Sequence, residues 1–288
     1  MTRQLPKSSA PAEETVPERR DPPGRRRLRR ILFTIGSIIV FVMLWEVVLR
    51  ILKIQSFLVP RPAEVLDALM TSLERRPTGR GSLIGASWST YSAALMAFAN
   101  ATGLGFVVAL ALARWGWLER TVKPYIVAFQ TLPRIAIAPL FLIWFGQGLM
   151  SKVLLATLVA FFPVMVNTLA GLKTAPPEWL EWMRIHGASS WQIFRHVKLW
   201  SALPFIFAGL EVALVFSILG VVVTEFVGAA DGLGVLILQS HYAADVAGVF
   251  SVFVFLVTFG LLLRLALMAL RARLLFWAEL GETGETGP

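Results

Sequence analysis

The 288-residue chain has no cysteine, only three histidines and 16% charged residues. Without cysteine, disulfides, thiolate metal sites, iron–sulfur clusters and cysteine nucleophiles are all excluded at once. His186, His196 and His241 are widely spaced, which argues against a histidine-based metal centre. Catalytic signatures are missing as well: there is no G-x-x-x-x-G-K-[ST] phosphate loop, no H-E-x-x-H and no G-x-S-x-G. Any energy source must therefore lie in another chain, and neither a catalytic residue nor a cofactor or metal is expected in this one. Acidic side chains number 18 against 27 Lys and Arg, and the excess is uneven. The first thirty residues hold nine basic and four acidic groups, more than half of the net charge of +9.

What the sequence has instead is apolar surface: 56% hydrophobic residues and a mean hydropathy of +0.69, too apolar for an ordinary water-soluble domain. A hydrocarbon core about 30 Å thick takes roughly 20 helical residues to cross. Six runs of about that length occur, at Ile31–Ile51, Trp88–Ala113, Pro124–Phe145, Val153–Leu172, Phe205–Val227 and Val249–Leu270. The apolar piece Val235–Leu238 is too short to cross and reads as interfacial or re-entrant. The expected fold class is an all-α membrane protein with six transmembrane helices.

Orientation follows from Lys and Arg, which are enriched on cytoplasmic flanks. Arg19, Arg20, Arg25, Arg26, Arg27, Arg29 and Arg30 directly precede the first span. With the N-terminus inside, six crossings bring the C-terminus back to the same side (N-in/C-in). The cytoplasmic segments then hold eighteen basic residues and the opposite side seven, namely Arg50, Lys53, Arg61, Arg75, Arg76, Arg80 and Lys152. Residues 1–30 read as a basic, disordered cytoplasmic tail, 31–275 as the six-span domain and 276–288 as a second cytoplasmic tail. The first apolar run is longer than a signal-peptide h-region, so it is expected to remain attached. The arginine run is expected to set topology and attract membrane lipid, not to bind nucleic acid.

Charge inside lipid is expensive, so ionisable groups in the spans mark interior faces, partners or the interface. They are Glu46, Arg134, Glu211, Glu225 and Arg264. Glu46 and Arg50 have i,i+4 spacing and can pair along a helix. Glu211 and Glu225 are fourteen residues apart on one helix, close to four turns, and mark either a lined path or two ends of a packed helix. Pro133 and Pro139 each remove a helix hydrogen bond, so the third span is expected to be bent or broken, as a helix lining a passage can be. Gly103 and Gly105 in the second span, among several alanines, fit ordinary close helix packing. Arg134 is the buried-looking cation that can meet an anion; capping of carbonyls freed by Pro133 or Pro139, or snorkelling, is the structural alternative.

The most informative segment is Lys173–Leu203, about thirty residues that no crossing requires. Pro176 and Pro177 can start a helix, Glu178 and Glu181 suit its positive end, and Gly187 can stop it. Ser189 or Ser190 can cap a second helix bearing Trp191, Ile193, Phe194, Val197 and Trp200. The expectation is a helix–turn–helix at the membrane surface, with Gly187-Ala188 forming a small exposed corner.

Glu181, Gly187-Ala188-Ser189, Trp191-Gln192-Ile193-Phe194, Val197, Leu199 and Ala202-Leu203-Pro204 together resemble the EAA loop of bacterial ABC importer permeases. Trp182, Met183 and Trp200 depart from the Ala-Ala and Pro common there. The resemblance extends over roughly residues 45–275, to the permeases of nitrate, aliphatic sulfonates, taurine and related solutes. It rests on Phe57-Leu58-Val59-Pro60-Arg61-Pro62 with Glu64-Val65, on Gln130–Leu140 with Trp144-Phe145-Gly146 and Ser151-Lys152, on Phe161-Phe162-Pro163 with Asn167-Thr168, and on Glu225 with Gly232-Leu233-Gly234.

This resemblance implies a multi-pass permease of the bacterial inner (plasma) membrane, with 173–203 as a cytoplasmic coupling loop between spans 4 and 5. Glu181, Gly187, Ala188, Ser189 and Trp191 would dock an ATPase subunit, which would bring ATP and Mg. A periplasmic or extracellular binding protein would deliver solute, and a second permease copy would complete a homodimer. The implied cargo is a nitrate-, sulfonate- or taurine-like anion. Arg134, Pro133, Pro139, Glu211 and Glu225 are the candidate path residues. The rival reading is a stand-alone secondary transporter or channel using Glu211, Glu225 and Arg264; a membrane enzyme or scaffold is disfavoured by the missing catalytic groups.

Overall fold

The computed structural model describes residues 23–74 and 82–275. The chain divides into two units, Met1–Lys53 and Ile54–Pro288, and all regular structure among the described residues is helical. Expectations for residues 1–22, for Arg75, Arg76 and Arg80, and for the tail 276–288 lie outside the described residues.

The first unit contains α1 (Pro23–Ile51), which begins eight residues before the expected span. Glu46 and Arg50 pair along it at 2.7 Å, as their spacing predicts. In the second unit α2 (Pro62–Glu74) is a short helix that the search for spans passes over. Its start is fixed locally: Glu64 accepts from the Arg61 backbone N–H (3.0 Å) and from the Ser56 hydroxyl (2.8 Å). These bonds hold the Glu64 carboxyl below its usual range.

The bundle core is α3 (Leu83–Arg114), α6 (Leu149–Gly171) and α9 (Leu199–Gly228). Small residues let these helices approach closely, which is how membrane helices gain packing without a hydrophobic drive. A Cβ on Gly220 would lie 2.7 Å from the Ala156 Cα, one on Gly209 2.9 Å from the Asn167 Cβ, and one on Gly171 2.7 Å from the Phe205 Cβ. In α3, Gly105 is held against Val164 in this way, whereas Gly103 faces open space. Ala93, Ala94, Ala97, Ala101, Ala156 and Ala160 fill the rest of the seam. Around it pack α10 (Leu233–Tyr242), α11 (Val246–Leu274) and α2 on one side, with α4 (Gly116–Thr131) against α3.

The third predicted span is broken. Its residues fall into α4, a 3₁₀ turn at Arg134–Ile137, and α5 (Ala138–Phe145), with a bend of 81°. Pro124 is inside α4, Pro133 precedes the 3₁₀ turn and Pro139 occupies the first turn of α5. The two prolines thus end one helix and open the next, in agreement with their missing N–H groups. Five described helices are long and apolar enough to cross a membrane, or six if the bent pair counts as one span. The apolar piece around Val235 belongs to α10, only ten residues long.

Candidate functional site

Two features stand at opposite ends of α9. At its start, α7 (Pro177–Ile185) ends at His186, and Gly187 turns the chain with φ +73°. A left-handed backbone is where glycine is favoured. Ser189 then caps α8 (Ser190–Ile193) in a reciprocal capping box: its hydroxyl accepts from the Gln192 N–H (3.3 Å), and Gln192 Oε1 accepts from the Ser189 N–H (2.7 Å). Helical structure continues through a π-turn, Phe194–Lys198, into α9. One helical run of 39 residues, Ser190–Gly228, therefore leads from the turn into the bundle.

The helix–turn–helix is as the sequence predicts, with Ser189 rather than Ser190 as the cap. Glu181, Gly187, Ser189 and Trp191 are exposed and Ala188 is half-buried. Trp179, Trp182 and Ile185 are 63%, 60% and 82% exposed, an apolar surface on a short helix. Exposed apolar patches of this kind occur at protein–protein and membrane contact surfaces. Beside this one lies a cavity of about 500 Å³ lined by Glu178, Trp179, Trp182, Met183, His196 and Val197.

At the other end of α9, Glu225 is fully buried beside Lys152, which is 1% exposed. Lys152 Nζ donates to Glu225 Oε1 (3.0 Å), Asp231 Oδ1 (2.7 Å), the Asp231 carbonyl (2.6 Å) and Ser89 Oγ (2.9 Å). The Thr90 hydroxyl donates to Glu225 Oε1 (2.8 Å) and accepts from the Leu233 N–H (2.8 Å), while the Gly234 N–H donates to Glu225 Oε2 (2.8 Å). The carboxylate occupies the space of two side chains: a Cβ on Gly232, at φ +120°, would lie 1.9 Å from Glu225 Oε1, and one on Gly234 2.7 Å from the Glu225 Cβ. A buried ion pair whose valences are all satisfied ties α3, α6, α9 and α10 at one point. At the rim, partial burial pushes the Asp231 carboxyl up, but hydrogen bonds from Lys152 and Ser89 and the charge of Lys152 outweigh this and hold it below the usual aspartate range.

The sequence reading counts Lys152 only as one of seven basic residues on the non-cytoplasmic side; the structure shows it buried. Lys152, Asp231, Ser89 and Thr90 are absent from the candidate path residues, because the acids are 73 and 79 positions away from Lys152. The neighbouring Ser151 and the Glu225…Gly232-Leu233-Gly234 spacing were the available signal.

The candidate path residues do not converge on one another. Glu211 pairs with Arg271 (2.9 Å) on α11 and Glu225 with Lys152, so the two glutamates of α9 have different partners. Pro133 and Pro139 are exposed, and Arg134 lies half-buried between α4 and α5. Its guanidinium is 5.0 Å from the Phe162 ring centroid, a cation–π distance, and its buried Nη1 has no hydrogen-bond partner among the described residues. Among the described residues no cluster of His, Asp or Glu suits a metal ion.

Residues 101–276 match the family model described as "Binding-protein-dependent transport system inner membrane component". The chain is 34% identical to the riboflavin transport system permease protein RibX of Chloroflexus aurantiacus, over 78% of this chain and 84% of that one. It is 30% identical to the taurine transport system permease protein TauC of Escherichia coli, over 86% and 90%. Among solved structures, a chain of the MetNI methionine ABC transporter, described in inward-facing conformations, superposes with a TM-score of 0.59 at 23% identity, covering 67% of this chain and 95% of that one. That likeness concerns the fold.

Proposed function

The chain belongs to the family of binding-protein-dependent transport inner-membrane components, and from that premise we propose a dimeric ABC importer permease that passes a small anion delivered by an extracytoplasmic binding protein. ATP is hydrolysed in separate subunits that dock on the exposed turn. The observation that supports this docking is the apolar surface of Trp179, Trp182 and Ile185, next to a glycine corner with nothing within 4 Å of a Cβ at Gly187. Closure of the ATPase pair displaces α7 and the turn. The capping box keeps the turn rigid, so displacement passes into the continuous helical run and reaches the bundle. Hydrolysis resets the bundle. In this reading the N-terminus and the turn face the cytoplasm, and the Lys152–Glu225 end faces outward.

An anionic cargo, sulfonate- or taurine-like or nitrate, is favoured by Arg134 at the broken helix, whose buried Nη1 has no hydrogen-bond partner among the described residues. The relatives transport chemically different solutes by name, riboflavin and taurine, so the cargo is decided by assay. The permease, reconstituted with its ATPase and binding protein, is expected to hydrolyse ATP faster when the binding protein holds taurine or another sulfonate. Stimulation by riboflavin alone would overturn the anion reading, and uptake without any ATPase would favour a secondary transporter.

A further inference from the structure

A second cavity, of about 540 Å³, opens beside the turn and shares no lining residue with the first. Arg114, Arg184 and Lys198 line it together with Ser190, Trp191 and Phe194, and no acidic side chain does. None of the three cations forms an ion pair among the described residues. Three cations and no acid among its lining residues give the cavity a positive potential that favours an anion.

The backbone is shaped around the same place. Phe194–Lys198 is a π-turn, with the Leu199 N–H bonded to the Phe194 carbonyl. Such turns are rare and are found frequently at functional sites. Both ends of this one, Phe194 and Lys198, line the cavity. The Trp191 and Phe194 rings are stacked there at 5.5 Å.

Depth selects the kind of anion. Helix α3 has 32 residues, about 48 Å at 1.5 Å per residue, so it overshoots a hydrocarbon core of roughly 30 Å. The apolar run of α3 ends at Ala113, and Arg114 and Trp115 follow it directly, the position that flanking Arg and Trp take at a headgroup layer. A basic pocket between helix ends, with an aromatic pair beside it, matches the chemistry of a lipid phosphate whose acyl chains stay in the bilayer. We infer that Arg114, Arg184 and Lys198 form a binding site for the headgroup of an anionic phospholipid. A bound lipid would join the last turn of α3 to the end of α7 and the π-turn, at the base of the moving element.

The test is native mass spectrometry of the delipidated full-length permease titrated with phosphatidylglycerol, with phosphatidylcholine, and with inorganic phosphate as competitor. Wild type is expected to retain phosphatidylglycerol in preference to phosphatidylcholine and to keep it against phosphate. Each cation near an anionic headgroup is worth about a factor of five, so Arg114→Gln/Arg184→Gln/Lys198→Gln should weaken retention roughly a hundredfold. Arg120→Gln/Lys123→Gln/Arg273→Gln removes three exposed charges elsewhere and should leave it unchanged. If the Lys198 substitution prevents folding, Arg114→Gln/Arg184→Gln, at two exposed positions, should still weaken retention roughly twentyfold. Equal retention in the site and control variants, or in the two lipids, overturns the site. Displacement by inorganic phosphate overturns the lipid as its occupant, as does loss of the lipid when the ATPase subunit binds. Except for the last, these outcomes are read on the permease alone and do not depend on whether the ATPase docks at Trp182.

Discussion

Lys152 is a long cationic side chain kept out of water by four hydrogen bonds to three residues. Removing one member of a buried pair leaves an uncompensated charge and costs about 3–5 kcal/mol, whereas removing both relieves it. Lys152→Met is expected to lower the thermal stability of the detergent-purified permease by that order, and Lys152→Met/Glu225→Gln to recover most of the loss. If the double variant is as unstable as the single one, packing rather than charge decides this site. Asp231 adds a pH dependence of definite sign. Its carboxyl is held below the ordinary aspartate range when folded, so its stabilisation is complete above that range and is lost as pH falls through the depressed value. The stability difference between wild type and Asp231→Asn should stay constant from about pH 8 to about pH 5, and close only below the ordinary aspartate value of about 3.9.

At the scale of elements, the turn between α7 and α8 is specified by two local devices. Gly187 supplies the left-handed backbone and Ser189 with Gln192 the cap. Ser189→Ala should cost about 1 kcal/mol of local helix stability and, if the turn is a rigid lever, reduce solute-stimulated ATP hydrolysis without lowering ATPase co-purification. Gly187→Trp meets no atom of this chain within 4 Å of its Cβ and carries only the left-handed cost of about 1–2 kcal/mol. Membrane insertion should therefore survive, while uptake and ATPase co-purification fail. Normal uptake by this variant would remove the docking role from the turn. The broken third span belongs to the same scale: two prolines six residues apart convert one apolar run into α4 and α5.

At the scale of the molecule, the bundle core depends on close approach of α6 and α9. The Gly220–Ala156 contact leaves no space for a side chain, since a Cβ would lie 2.7 Å from backbone. Gly220→Val should push the helices apart and lower stability by about 1–3 kcal/mol, measured as thermal unfolding in detergent. Gly103→Val in α3 meets open space and should be tolerated. The same core couples the two ends of α9, where an exposed turn and a buried ion cluster are joined by one helical run. Motion at either end is therefore expected at the other.

The sequence by itself determined the elements whose causes are local. Apolar length fixes the helices, proline fixes the break between α4 and α5, and the Pro177, Gly187 and Ser189 pattern fixes the helix–turn–helix, because each acts through backbone chemistry within a few residues. Glu46 with Arg50 was legible for the same reason. Only the tertiary structure decided which charges are buried and what they touch. Lys152 reads as an ordinary flanking charge until α6, α9 and the Asp231 loop are brought together, and Glu211 and Glu225 read alike until α11 and α6 supply different partners. Arg114, Arg184 and Lys198 are spread over three elements, and a sequence contains no term for the cavity between them.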